Sequence, residues 1–279
     1  MKFRPFALTA HSVLPAYPLA MGTTLLCLFS IVVLPLAVLV LSVTQLTWVE
    51  IMRVATDARV LASFRVSIMA AVGSAMIAGI LGIVIAWVLV RYEFAGRGFL
   101  NALIDLPFAL PTAIAGIALC AVYAPDGWVG GYLQSIGIEL VFNQAGIWLA
   151  LIFVGLPYVV RALEPVLEAL DSEIEEAALS LGATHGQMFL RVLLPHLFPA
   201  LVSGFSLALA RGFGEFGSVI FLSSNIPQVA EIVPLVILVK LEEYDMAGAH
   251  VIAVMMLMVS FAVLYGLNSV QQWKVSRVV

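Results

Sequence analysis

The chain has 279 residues, 63% hydrophobic and 11% charged, with a mean hydropathy of +1.11 and a formal net charge of −4. A soluble domain carries about 25% charged residues, so too little polar surface is present to cover this chain in water. The negative charge and the lack of a long basic tract exclude nucleic acid as a partner.

Asp, Glu, Lys and Arg are missing from six runs of 19 residues or more: 5–49, 66–90, 106–125, 140–160, 192–210 and 246–273. About 20 apolar residues cross a bilayer as a helix. The chain is therefore expected to be an all-α membrane protein with six transmembrane helices, at about 19–43, 66–90, 102–124, 145–163, 196–222 and 247–268. A single transmembrane domain is expected over 1–279, with an N-terminal anchor span at 19–43, core spans over 66–268 and a polar segment at 164–194. Residues 1–25 do not read as a cleaved signal, because the apolar stretch is too long and no small-x-small site follows it.

Lys and Arg set the orientation. With the N-terminus inside, Lys2, Arg4, Arg91, Arg97, Arg161, Arg191, Lys274 and Arg277 fall on the cytoplasmic side. Arg53, Arg59, Arg65 and Lys240 fall outside, and Arg211 falls within a span. Eight against four places both termini in the cytoplasm. Segments 44–65 and 223–245 then lie outside, and the apolar piece at 232–239 is too short to span.

Cys27 and Cys120 both lie in apolar spans, so no disulfide framework is indicated. His11, His185, His196 and His250 lack metal-ligand spacing. Neither G-x-x-x-x-G-K-[ST] nor G-x-S-x-G occurs. The chain is expected to be no enzyme and to hold no metal or cofactor of its own.

The segment 164–194 is dense in acid: Glu164, Glu168, Asp171, Glu173, Glu175 and Glu176. Ser172 and Glu175 have the spacing of a capping box, and acids suit a helix N-terminus. Ile174, Ala177, Ala178 and Leu181 make one small apolar face. Gly182 then falls where a left-handed residue ends a helix. Thr184 and Gln187 offer a second capping box, and Pro195 suits the first turn of the next span. Two short helices joined by an elbow are expected. The first is too short to be stable alone and needs a surface to cover its apolar face. Its polar face is acidic, whereas helices resting on lipid favour Lys and Arg there, so a protein partner is the better fit.

Within this segment Glu176-Ala177-Ala178, three residues, Gly182, nine residues, then Val192-Leu193-Leu194-Pro195 resembles the EAA motif of ABC-importer permeases. Val192 replaces the usual Ile. The resemblance extends over about 12–275. Arg91-Tyr92-Glu93-Phe94-Ala95-Gly96-Arg97, the stretch from Asp105 to Thr112 and Gly214-Glu215-Phe216-Gly217 are similar to the sulfate and molybdate permease group. The Asp105–Ala113 and Leu241–Asp245 stretches most resemble the T-type permeases of sulfate and thiosulfate importers.

The resemblance implies a membrane permease that forms a translocation path and is driven by ATP hydrolysis on other chains. It implies a coupling helix, with Glu175, Glu176, Ala177, Ala178, Leu181, Gly182, Ala183 and Thr184 seated in a groove of a separate ATPase subunit. It implies an assembly in the bacterial inner membrane with a second, W-type permease, two ATPase subunits carrying ATP and Mg, and a periplasmic substrate-binding protein. Sulfate or thiosulfate would be the cargo, and membrane lipid would surround the spans. A molybdate or tungstate permease is the alternative within the group. Those permeases are shorter at the N-terminus, so the first span and the segment 44–65 favour sulfate. A secondary anion transporter is the alternative from another class. It would need internal repeats and a coupling-ion site. Asp105 and Glu215 could serve such a site, but no repeat is evident and the segment 164–194 would have no purpose.

Several residues are candidates for the path. Pro107 and Pro111 lie one turn apart in the third span, where each removes a helix hydrogen bond, and Thr112 follows. Ser206, Ala210, Gly214 and Ser218 recur every four residues in the fifth span, as do Ala71, Ala75 and Gly79 in the second. Such stripes let helices approach closely or leave room for a pore. Arg211 and Glu215 stand four apart in the fifth span. They either neutralise each other, or Arg211 offers its donors to a passing oxyanion.

Overall fold

The computed structural model describes residues 17–278, so Lys2, Arg4 and His11 lie outside it. In chain order the helices are α1 (Leu19–Thr44), α2 (Trp48–Ala55), α3 (Ala58–Arg91), α4 (Arg97–Ala109), α5 (Thr112–Tyr123) and α6 (Trp128–Ser135). They continue with α7 (Gln144–Ala169), α8 (Ser172–Ser180), α9 (His185–Phe213), α10 (Val219–Leu222), α11 (Val233–Glu242) and α12 (Met246–Val278). No strand occurs among the described residues.

Five helices are long and apolar enough to cross a bilayer: α1, α3, α7, α9 and α12. The third expected span is instead two helices, α4 and α5, set at 120° to each other. The break falls at Leu110–Pro111. A residue before proline is pushed out of the helical region, and Leu110 is extended, with ψ 136°. Pro107 stays inside α4 without breaking it.

The fifth expected span also differs. Its helix ends at Phe213 rather than near 222 and begins earlier, at His185. Gly214 and Ser218 therefore lie beyond the helix and do not share a face with Ser206 and Ala210. Pro195 opens the regular stretch Leu194–Phe213 as expected, but a short helical turn and a π turn lead into it, so the whole helix starts at His185.

Charged residues mark the other differences. The second span starts at Ala58, so Arg59 and Arg65 lie within it, and the fourth continues past Arg161 to Ala169. The segment 44–65 is largely helical, with α2 started by a capping box between Thr47 and Glu50. The polar segment shrinks to α8 and its flanking turns.

The core is built where α3, α7 and α9 cross. Ala71, Ala75 and Gly79 are buried there, so this stripe serves packing. A Cβ on Gly82 would lie 2.6 Å from Val159 Cγ1, and one on Gly204 would lie 2.8 Å from Val159 Cα. Glycine at both positions lets α3 and α9 close on either side of a fully buried valine. α1, by contrast, has no buried residue in its most apolar stretch. Its apolar surface is left uncovered by the rest of this chain.

Two π-helical turns interrupt the spans, at Phe29–Val33 in α1 and Phe189–Leu193 in α9. Each ends two residues before a proline, Pro35 and Pro195. Proline cannot donate to the residue four back and its ring crowds that carbonyl. A wider turn moves the carbonyl away without ending the helix.

Candidate functional site

Two places stand out, one inside the apolar bundle and one at its edge. The first is where the two helix breaks meet. After α9 the chain turns through Gly214–Ser218 before α10. A Cβ on Gly217 would collide with Thr112 Oγ1, and one on Gly116 would lie 2.7 Å from Ser218 O. The loop after α9 thus rests directly on the first turns of α5.

Non-helical backbone in a membrane must find its hydrogen bonds inside the protein, and Glu215 supplies them here. Its Oε1 accepts from the Ser218 N–H at 3.1 Å and from Ser218 Oγ at 3.0 Å. Its own N–H donates to Gly212 O at 3.1 Å. Its Oε2 lies 2.6 Å from Arg211 Nη1. The Glu215 side chain is 1% exposed and that of Arg211 36%. The carboxylate is therefore structural on one side and charge-paired on the other, while part of the Arg211 side chain stays exposed.

Of the other path candidates, Pro111 and Thr112 lie at this junction. Pro107 lines a separate apolar cavity of about 540 Å³ together with Val84, Leu103 and Phe153. Ser206 is buried and its Oγ donates to Val202 O at 2.7 Å. Ala210 is exposed on α9.

The second place is the elbow between α8 and α9. Gly182 has φ +86°, and no atom lies within 4 Å of where its Cβ would be. Glycine is needed there for its backbone, not for space. Gly182 N–H donates to Leu179 O at 2.9 Å and Ala183 N–H to Ala178 O at 3.1 Å, the paired bonds of a Schellman ending. Two residues later Thr184 and Gln187 form the reciprocal capping box that starts α9: Thr184 N–H to Gln187 Oε1 is 3.0 Å, and Gln187 N–H to Thr184 Oγ1 is 3.3 Å. Both sides of the elbow are locked by local bonds.

The expected cap at the start of α8 is different. Asp171 occupies the N-cap, with no side-chain cap bond, and α8 begins at Ser172. Glu175 does not reach back along its own helix. It takes a hydrogen bond from Arg91 Nε at 2.9 Å, and Arg91 Nη2 donates to Leu170 O at 2.9 Å. The apolar face also divides. Ala178 and Leu179 pack against the core. Ala177 is exposed, as are Glu176 and Thr184, Ile174 is 40% exposed and Leu181 is 89% exposed. The free face of the elbow is therefore Ile174, Ala177 and Leu181, ringed by acids.

Arg91 and Arg161 were not singled out as site residues by sequence reasoning. Arg161 of α7 holds Asp105 of α4 through two bonds and also meets Glu164. The available signal was an Arg within or bordering an apolar run, which must be paired or reach water.

Five apolar helices, a bent pair of helices and a loop that breaks the chain inside the bundle are the architecture of a multi-span membrane protein. The chain belongs to the family of binding-protein-dependent transport system inner membrane components, whose family model matches residues 78–277. It is 42% identical over 274 residues to the sulfate transport system permease protein CysT of Escherichia coli (strain K12), covering 98% of this chain and 99% of that one. It is 43% identical over 252 residues to a probable sulfate transport system permease protein cysT of Nephroselmis olivacea, covering 90% and 89%. Its fold matches that of a bacterial ABC transporter involved in the import of the acidic polysaccharide alginate, with a TM-score of 0.72 at 16% identity over 92% of this chain and 94% of that one.

Proposed function

We propose that this permease subunit carries sulfate or thiosulfate into the cell as the T-type half of an ATP-driven importer. The observation that carries the reading is the near full-length 42% identity to a sulfate permease. In this reading both termini and the elbow face the cytoplasm of a bacterial inner membrane, and the chain crosses that membrane several times. A W-type permease completes the path. Two ATPase subunits bind ATP and Mg, and one of them receives Ile174, Ala177, Leu181 and the rim acid Glu176. A periplasmic binding protein delivers the anion to the outer face.

The fold suits such work. α9 is one helix of 29 residues, roughly 40 Å long at 1.5 Å per residue. It starts at the elbow and ends at Arg211 and Gly214. A push on the elbow is delivered along this rod to the Glu215 loop and, through Gly217, to Thr112. No deep anion well is needed, because a binding protein supplies selectivity and tight binding in the path would slow release.

The test is reconstitution of this chain with its W-type partner, ATPase subunits and candidate binding proteins, with sulfate, thiosulfate and molybdate compared in parallel. ATP-dependent sulfate or thiosulfate uptake is expected. Uptake of molybdate alone would move the chain to the other branch of the group. Uptake that persists without ATP would make it a secondary transporter. Full activity without the W-type partner would overturn the heterodimer.

A further inference from the structure

We infer that Arg91 is a positioning residue that couples the elbow to the second span, so that ATP-driven movement of α8 reaches α3 through one guanidinium. This rests on the reading of α8 as the ATPase-docking helix.

The geometry gathers three elements at one side chain. Arg91 is the last residue of α3. Its Nε and Nη2 lie 2.9 and 2.7 Å from Glu175 Oε1, in the first turn of α8. Nη2 also donates to the carbonyl of Leu170, the C-cap of α7. A helix end leaves carbonyls without partners inside the helix, so the bond to Leu170 serves a real need of α7. Arg91 and Glu175 are 18% and 14% exposed. Shielded from water, the pair loses less to screening than one on an open surface.

The neighbouring contacts make the junction stiff. Trp87, one turn back on α3, meets Tyr92 at 6.2 Å between ring centres and Phe189 of α9 at 6.1 Å. The inner end of α3 therefore holds α8 by charge and α9 by ring packing. Face and link are separate on α8. Leu181 points away from the bundle, while Glu175 points into it. A helix with one side free and the other tied to a long span is suited to pass on a displacement. An arginine fits this role because its planar fork can serve a carboxylate and a carbonyl together. Lys carries its three donors on one nitrogen, without that planar fork, and holds the two acceptors less firmly.

The experiment uses the reconstituted complex and reads ions transported per ATP hydrolysed, ATPase retention and the substrate concentration for half-maximal uptake. Arg91→Ala is expected to keep its ATPase subunits and its half-saturation, to go on hydrolysing ATP, and to lose roughly tenfold in ions per ATP. Arg91→Lys should fall between. Arg91→Glu with Glu175→Arg should recover part of what Arg91→Glu loses, because the charge link returns without the bond to Leu170. Wild-type ions per ATP in Arg91→Ala would overturn the link. So would loss of bound ATPase in step with uptake, since that assigns Arg91 to docking. Failure of the charge swap to recover anything, in protein of normal abundance, would also overturn it. A wild-type complex that moves no oxyanion under ATP would instead overturn the function on which the link rests.

Discussion

Arg161 grips Asp105 with two bonds, Nε to Oδ1 at 2.8 Å and Nη2 to Oδ2 at 2.6 Å, joining α7 to the first half of the bent pair. Arg161 also donates to Asn101 O at 3.1 Å. The bend at Leu110–Pro111 is thus supported from the side by a buried helix.

Asp105→Ala should loosen α4 rather than unfold the bundle. Asp105 is 48% exposed and Arg161 keeps Glu164, so the cost is about 1 kcal/mol, the upper end for an exposed pair. Thermal unfolding of the purified protein checks this, with a drop of a few degrees expected. A large loss of abundance in the membrane would mean that the pair holds the whole fold.

Arg211→Ala strands the buried Glu215 carboxylate. Removing one partner of a buried pair costs roughly 3 kcal/mol, so both abundance and uptake should fall. Adding Glu215→Gln should recover more than adding Glu215→Ala. The amide keeps an oxygen for the Ser218 N–H without carrying a charge, whereas alanine leaves that N–H open. Normal abundance but low uptake in Arg211→Ala/Glu215→Gln would assign Arg211 to the passing anion.

Gly182→Val should leave the protein abundant and abolish uptake. A left-handed residue with a Cβ costs roughly 1–2 kcal/mol, and a branched one is worse. That is small against a whole membrane protein but large for one turn that must present Leu181 to a preformed groove. Glu176→Lys should act similarly by reversing charge beside that face. Normal uptake with normally bound ATPase in Gly182→Val would reduce the elbow to a connector.

Gly217→Ala should drive the Glu215 loop off α5, because the new Cβ meets Thr112 Oγ1. Thr112→Ala should largely relieve it, leaving Ala113 N at 3.1 Å as the nearest atom. Uptake at matched abundance is the measurement. Equal loss in single and double mutants would show that the two breaks do not need each other.

The elbow was legible because its signals are local, a glycine after an apolar run and a capping sequence two residues on; the earlier capping sequence, Ser172 and Glu175, forms no cap, because Glu175 turns to Arg91. The spans were legible from missing charge, and the same rule misplaced their ends. Arg59 is neutralised by Glu231 and Arg161 by Asp105 and Glu164, so these charges lie inside helices where an uncharged run had stopped. The break at Pro111 falls in an uncharged run and carries no charge signal, while the one at Gly214 lies between Arg211 and Glu215, a pair whose spacing reads as one continuous helix. The contact of Gly217 with Thr112 joins residues about a hundred positions apart, and no periodicity reports that.

The π turn at Phe189–Leu193 has a geometric consequence. Such a turn holds one more residue than a regular one, and one residue is about 100° of rotation around a helix. Everything after Leu193 is therefore turned by that angle relative to the elbow. The azimuth at which Arg211 leaves α9, and so the neighbour it can reach, is set well upstream by the extra backbone unit that precedes Pro195.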